Sequence, residues 1–186
     1  MTHAIKQTLE SLHQVQQKMG NPTWNIDQTT GQFLASLILA KNAQRALEIG
    51  TSIGISALWF ALALRETGGK LVTVESHDQR FAEASKNIAA ANAADIVMQV
   101  KGHAPEILDE IPGEFDLMFF DATKCEHLSY ITNLSPRLRK GGVVITDNID
   151  SHAETLQEYR QTMEKDEQFF TCHVPIGTGL LMSVKI

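Results

Sequence analysis

The run Arg45-Ala46-Leu47-Glu48-Ile49-Gly50-Thr51-Ser52-Ile53-Gly54-Ile55-Ser56 constrains the fold more than any other stretch. A short apolar strand with an acidic residue near its end breaks into a tight glycine turn, and a helix starts at once. Such a turn brings backbone N–H groups and a carboxylate to the carboxyl end of a buried strand. Open α/β sheets bind nucleotide-like ligands there. The glycine spacing is Gly-x-x-x-Gly, not Gly-x-Gly-x-x-Gly, which disfavours an NAD-dependent dehydrogenase.

The rest of the chain supports an open sheet. Ile5, Leu9, Leu12, Val15 and Met19 recur at helical spacing over residues 3–19, and Gly20-Asn21-Pro22 stops that helix. A second helix is predicted over 29–39. Strands then alternate with helices: strands at 45–49, 70–75, 96–100, 115–120 and 142–147, helices at 54–66, 79–92, 104–110, 126–139 and 152–164. The strands are near-continuous apolar runs such as Leu71-Val72-Thr73-Val74, as a parallel sheet covered on both faces requires. Gly68-Gly69, Pro112-Gly113 and Gly141-Gly142 punctuate three strand entries. Segments 169–174 and 180–184 flank Pro175-Ile176-Gly177-Thr178-Gly179 and predict an antiparallel hairpin. The pattern is that of a doubly wound α/β domain spanning residues 1–186, with N-terminal helices in residues 1–40.

Bulk properties narrow the partners. With 43% hydrophobic and 20% charged residues, the composition is that of a soluble globular protein. No apolar run reaches transmembrane length, and the polar start with Glu10 is not a secretory signal. Two cysteines, Cys125 and Cys172, lack metal-type spacing and read as reduced thiols of a cytoplasmic protein. A net charge of −6 gives no general attraction to nucleic acid. Arg137, Arg139 and Lys140 cluster, but at a predicted helix end, where basic residues complement the helix dipole.

Three strand ends carry candidate chemistry. Glu75 ends the second strand, where a carboxylate can accept two hydrogen bonds from a ribose diol or simply be solvated. Lys101-Gly102-His103-Ala104-Pro105 follows the third strand; small residues there leave room for an adenine ring, or only lead into a helix. Asp121 ends the fourth strand, and Asp147-Asn148 ends the fifth. Adjacent parallel strands bring these three oxygen donors together. Two close carboxylates repel, and a divalent cation resolves the repulsion. Oxygen ligands favour Mg²⁺, with Mn²⁺ or Ca²⁺ as alternatives, over a Zn²⁺ thiolate site. Taken alone, Asp147-Asn148 is also an ordinary polar turn or cap.

As a set, these segments resemble the class I S-adenosylmethionine-dependent methyltransferases, and more narrowly the metal-dependent O-methyltransferases of the catechol and caffeoyl-CoA type. The resemblance covers about residues 23–186. It rests on Leu47-Glu48-Ile49-Gly50-Thr51, Glu75, Phe119-Phe120-Asp121-Ala122-Thr123-Lys124, Gly141-Gly142-Val143-Val144-Ile145-Thr146-Asp147-Asn148 and Pro175-Ile176-Gly177-Thr178-Gly179-Leu180. Residues 23–32 resemble the family segment that covers the cofactor. The resemblance implies a Rossmann-like seven-stranded sheet with its last strand antiparallel. It implies S-adenosylmethionine as methyl donor and S-adenosylhomocysteine as product. Gly50, Thr51, Ser52, Gly54 and Ser56 would line or shape the methionine end, together with Glu48. Glu75 would hold the ribose; Ser76, Gly102, His103 and Ala104 would border the adenine; Ile26 and Asp121 would also contact the cofactor. Asp121, Asp147 and Asn148 would hold Mg²⁺, and Lys124 would be the general base.

The chain also departs from the family. Ile149-Asp150-Ser151 leads almost directly into the next helix, where relatives often have a long loop that walls in the acceptor. The acceptor site is therefore expected to be shallow, or completed by the N-terminal helix or a second subunit. His127 stands where many relatives carry an aromatic residue, whereas Tyr130 matches. His127 and His152 read as polar surface residues within reach of the metal region. The leading expectation is Mg²⁺-dependent methylation of a small catechol-like or hydroxylated aromatic acceptor. The alternative is methylation of a hydroxyuridine in tRNA, which would require a basic surface beside Asp121. A module that binds the cofactor without chemistry is disfavoured by the intact Asp121, Lys124, Asp147 and Asn148. The apolar faces of the first two helices predict a homodimer.

Overall fold

The computed structural model describes residues 2–19 and 25–186. The stop at Gly20-Asn21-Pro22, and Thr23 and Trp24 of the cofactor-covering segment, lie outside the described residues. Seven strands form one sheet: β1 (Arg45–Ile49), β2 (Lys70–Glu75), β3 (Val97–Lys101), β4 (Phe115–Phe120), β5 (Leu138–Thr146), β6 (Phe169–Val174) and β7 (Leu180–Lys185). Six α-helices accompany them: α1 (Thr2–Met19), α2 (Gln28–Lys41), α3 (Ile55–Thr67), α4 (Asp78–Ala90), α5 (His127–Leu134) and α6 (Gln157–Lys165).

The strand order is β3-β2-β1-β4-β5-β7-β6. Pairings among β1 to β5 are parallel, and β7 runs antiparallel to both β5 and β6. The order reverses between β1 and β4, which sets a topological switch point at their carboxyl ends. Leu117, Phe119 and Ile145 face one core layer, together with α1, α2 and α3. Met118, Phe120 and Val144 face the other, with residues of α5 and α6. Both faces are covered, which explains the unbroken apolar runs.

Helix ends follow local chemistry. Asp27 caps α2, its side chain accepting from the Thr30 N–H at 2.7 Å, and Asn42 ends that helix in the left-handed conformation at φ 51°. Helix α1 buries Ile5 and Leu9, and Trp59 of α3 reaches it through an Nε1–H bond to His13 at 3.3 Å. Both cysteines are free thiols.

Three predicted helices differ. Residues 104–110 form only a 3₁₀ turn, Glu106–Glu110. The helix predicted over 126–139 ends at Leu134, because Pro136 has no N–H to continue the ladder; a 3₁₀ turn Ser135–Arg137 follows. The helix predicted from 152 begins at Gln157, after a run of turns. Strand β5 starts at Leu138, four residues ahead of the expected 142. Gly141-Gly142 is thus not a strand entry but part of an irregularity inside β5, where the register against Phe115 and Leu117 of β4 shifts. Gly141 takes φ +72°, and a Cβ on Gly142 would lie 2.6 Å from the Arg139 carbonyl.

The basic cluster is correspondingly not a helix-dipole complement. Arg137 donates to the carbonyls of Leu108, Ile111 and Gly113 and stacks on Phe115, while Arg139 pairs with Asp116 at 2.9 Å. Both sit at the amino ends of β4 and β5, the opposite end of the sheet from Asp121.

Candidate active site

The glycine turn closes the carboxyl end of β1. The N–H groups of Gly50 and Thr51 both donate to the Val74 carbonyl, at 2.9 and 3.2 Å. Gly50 takes φ +104°, and a Cβ there would lie 2.3 Å from the Asp121 carbonyl oxygen. Only glycine lets the end of β4 lie against the turn. Ser52 follows at φ 50° and points its N–H at Glu75 Oε2, 2.8 Å away. Glu75 Oε1 accepts from the His77 N–H, also at 2.8 Å. The Glu75 carboxylate is thereby fixed at the end of β2, and each oxygen keeps a lone pair free for a ligand.

Above this turn opens a cleft of about 840 Å³. Gly50, Ser52, Glu75, Ser76, Gly102, His103 and Ala104 line one end, and Ile26 lies above them. Glu48, Thr51, Gly54 and Ser56 do not line it. The turn directs Ser52 outward and Thr51 inward, so Thr51 and Ser56 are buried behind the wall with Glu48. Burial pushes the Glu48 carboxyl up to about 7; the hydroxyls of Ser56 and Thr73 pull the other way, and Asp121 and Glu75 push further up. Thr73 donates to Glu48 Oε2 at 2.6 Å and its hydroxyl also meets that of Thr51. These residues support the turn from behind.

At that same end, His103 bridges two carboxylates, with Nδ1 at 2.7 Å from Glu106 and Nε2 at 3.3 Å from Glu126. The Glu106 hydrogen bond raises its pKa, and Glu126 adds to the effect. Glu126 in turn accepts from the Tyr130 hydroxyl at 2.7 Å.

In the middle of the cleft the predicted donor set assembles. Asp121 N–H donates to the Ile49 carbonyl and Asp147 N–H to the Phe120 carbonyl, which seats both residues just past the ends of adjacent strands. Lys124 Nζ lies 2.7 Å from Asp121 Oδ1, and both side chains are largely buried. Burial nevertheless pushes the Asp121 carboxyl up to about 7, against the pull of Lys124 and with the push of Asp147. Asp147 is also raised, first by burial. Its Oδ1 accepts from the Asn148 N–H and the Thr178 hydroxyl, each at 2.6 Å. Asn148, at φ 67°, donates its amide to Thr178 Oγ1 at 3.1 Å, which leaves its carbonyl oxygen available.

Each of the three residues thus keeps one oxygen outside these hydrogen bonds, and two of the three are carboxylates in mutual repulsion. That donor set fits a hard divalent cation. Among the described residues no group of three His, Cys, Asp or Glu side chains could hold a metal, so a softer Zn²⁺-type site is not present there. The arrangement as a whole places a carboxylate held by two backbone N–H groups, three converging oxygen donors and a largely buried lysine in one cleft at the switch point.

A family model for O-methyltransferases matches residues 2–186. The chain belongs to the O-methyltransferase family. A catechol O-methyltransferase of Niastella koreensis is 32% identical over 143 residues, 75% of this chain and 64% of that enzyme. The chain therefore spans less than two thirds of that relative's length. A caffeoyl-CoA O-methyltransferase of Arabidopsis thaliana is 28% identical, with 95% of this chain and 78% of that protein covered. Among solved structures, an O-methyltransferase from Bacillus cereus in complex with S-adenosylhomocysteine superposes with a TM-score of 0.85 at 28% identity, covering 97% of this chain and 91% of that one. The O-methyltransferase TomG from Streptomyces achromogenes, in complex with S-adenosylmethionine, gives 0.84 at 26% identity, covering 96% and 89%.

Against the reading of it as a polar surface residue, His127 is neither at the surface nor part of the cleft wall. It is fully buried among Phe120, Tyr130 and Tyr159, with ring centroids 6.2, 5.5 and 5.6 Å away. His152 does line the cleft. So do Asp27, Thr30, Gly177 and Thr178, none of which the sequence singled out as site residues. The hairpin turn reaches the site because β7 inserts beside β5, a pairing that no local signal announces. The same turn steadies the short loop after Asn148: the N–H of Ile149 donates to the Gly179 carbonyl, and those of Asp150 and Ser151 to the Thr178 carbonyl.

Proposed function

We propose that this O-methyltransferase moves a methyl group from S-adenosylmethionine to a hydroxyl oxygen of a small catechol-like or hydroxylated aromatic acceptor, with Mg²⁺, or Mn²⁺ or Ca²⁺ in its place, held by Asp121, Asp147 and Asn148. The observation that carries this reading is the convergence of those three oxygen donors with Lys124 beside the Gly50–Ser52 turn and Glu75. Glu75 would accept the ribose hydroxyls, and the small Gly102 and Ala104 would admit the adenine beside His103. The acceptor oxygen attacks the methyl carbon in line with the sulfur; the O–C bond forms as the C–S bond breaks, leaving S-adenosylhomocysteine. A bound divalent cation would lower the pKa of the acceptor hydroxyl. Lys124, in its neutral amine form, would take the hydroxyl proton and become the ammonium, and the cleft would hold both reactants in register, an entropic gain.

The deciding assay measures methyl transfer to catechol from labelled S-adenosylmethionine. Turnover is expected with Mg²⁺, and chelation should remove at least ~99% of it, as loss of Lewis-acid assistance worth several kcal/mol implies. Turnover that survives chelation would overturn the metal assignment. A separate measurement concerns Glu75. Glu75→Gln puts an NH₂ against the N–H of Ser52 or His77 and removes the charge-assisted acceptor. Calorimetric titration with S-adenosylhomocysteine should show affinity falling ~10- to 100-fold, the ~1.5–3 kcal/mol of a hydrogen bond to a charged group.

Methylation of a hydroxyuridine in tRNA draws no support from the charges around the site. Among the described residues the cleft wall carries Arg80 and Lys124 as its Lys or Arg side chains, and Arg137 and Arg139 lie at the opposite end of the sheet. A homodimer through the N-terminal helices is favoured by the exposed Val15 and Met19 on α1 and Leu39 on α2. A cytoplasmic setting suits the two free cysteines, and among the described residues no helix is long and apolar enough to cross a membrane.

A further inference from the structure

Resting on the reading above, we infer that the acceptor end of the cleft selects for acceptors bearing a cationic substituent and against anionic ones, with Asp27 as the residue that discriminates. The two ends of the cleft differ in charge. Of the described cations on its wall, Lys124 is paired with Asp121, and Arg80 belongs to the first turn of α4, which begins just past Glu75 and Ser76 at the cofactor end. The lining also includes Asp27, Thr30, Ser151, His152 and the Gly177-Thr178 turn, and Thr178 and Asn148 are joined by a hydrogen bond. Among the described residues these bring no Lys or Arg.

Asp27 reaches Asp147 electrostatically, across the Gly177-Thr178 turn. A Cβ placed on Gly177 would lie 3.6 and 3.7 Å from the two Asp27 carboxylate oxygens. The next residue, Thr178, donates its hydroxyl to Asp147 Oδ1 at 2.6 Å. The Asp27 Oδ1 oxygen is anchored by the Thr30 N–H at 2.7 Å as the cap of α2, so the charge is held rather than free to swing away. With a divalent cation balanced by the Asp121 and Asp147 carboxylates and Lys124 in its neutral, proton-accepting form, the Asp27 carboxylate is the charge left beside the distal part of an acceptor. An ammonium on a short side chain complements it. A carboxylate there, or the phosphates of a coenzyme A thioester, meets like charge with no Lys or Arg beside it among the described residues.

The test uses three acceptors with saturating Mg²⁺ and S-adenosylmethionine: unsubstituted catechol, an aminoethyl-catechol and a carboxyethyl-catechol. The wild-type chain should favour the amine over the carboxylate by about three- to tenfold in kcat/KM, expressed mainly in KM, as expected for a partly solvated charge. The ratio should shrink as salt is raised. Asp27→Asn keeps the helix cap, since Asn caps as well as Asp, and should bring the ratio to about one. Wild-type turnover with a ratio of one or below would overturn the inference while leaving the proposed function standing. A preference that persists in Asp27→Asn would remove Asp27 from the role. No turnover on any of the three, with S-adenosylhomocysteine binding intact, would overturn the small-acceptor reading and the charge selection with it.

Discussion

Lys124→Ala should lower kcat for methyl transfer by ~10²- to 10⁴-fold, the range removed with a positioned general base. Affinity for S-adenosylhomocysteine should stay within about threefold, because the Glu75 and Gly50–Ser52 end of the cleft does not depend on the lysine. The Lys124 ammonium lies 2.7 Å from Asp121 Oδ1, and both side chains are mostly buried, so the substitution also leaves a buried carboxylate without its partner. Charge loss and base loss must therefore be separated, and Lys124→Arg does so. The guanidinium keeps the positive charge beside Asp121 but gives up no proton at working pH. If Lys124 acts as base, Arg is nearly as impaired as Ala. If the lysine only orders Asp121, Arg restores a large share of the rate. An Arg variant within about threefold of wild type would remove Lys124 from proton transfer.

Much of this arrangement was readable in the sequence because parallel sheets encode it locally. Near-continuous apolar runs located β1, β2, β3 and β4 to within a residue or two, and the residue past each run named the site edge: Gly50, Glu75, Gly102 and Asp121. Where one residue type has two uses, local reading failed. Gly141-Gly142 punctuates a strand entry and equally permits a bulge; the pairing of β5 with β4 decided for the bulge. The helix predicted through residue 139 ignored Pro136, whose missing N–H ends the helical ladder.

The site divides in the same way. Asp121, Lys124, Asp147 and Asn148 converge because they follow adjacent parallel strands, a relation that strand order alone supplies. Asp27 and Thr178 reach the same cleft from the cap of α2 and the β6–β7 turn. Each looks locally like an ordinary cap or turn residue, and only the insertion of β7 between β5 and β6 brings the turn to Asp147. For Glu48, Thr51 and Ser56 the family resemblance implied a place lining or shaping the methionine end, whereas strand alternation and the left-handed Ser52 turn their side chains into the interior, behind the cleft wall.

His127 makes the remaining large prediction, and it concerns stability rather than turnover. The imidazole is fully buried against Phe120, Tyr130 and Tyr159, and neither ring nitrogen has a hydrogen-bond partner among the described residues. Burial, with the Lys124 charge adding, pushes its pKa down from 6.5 to about 3. The folded chain therefore holds a neutral ring at a pH where the unfolded chain takes up a proton. Stability from this group is complete above the unfolded value and is lost as pH falls from 6.5 toward 3, at a limiting slope of ~1.4 kcal/mol per pH unit. Glu48 and Asp121, both raised to about 7, act with the opposite sign, since the folded state takes up their protons first as pH falls. Wild-type stability alone would mix these terms, so the comparison is with His127→Leu, which leaves both carboxyls in place. Near pH 7 the Leu variant should be more stable by ~1 kcal/mol, because a buried unsatisfied N–H is removed from the aromatic cluster. Near pH 4.5 the gap should widen by a further ~2–3 kcal/mol. Urea unfolding at the two pH values measures it directly. Parallel pH profiles for the two chains would show that the ring is protonated in the folded state, which its apolar surroundings could accommodate only by opening around it.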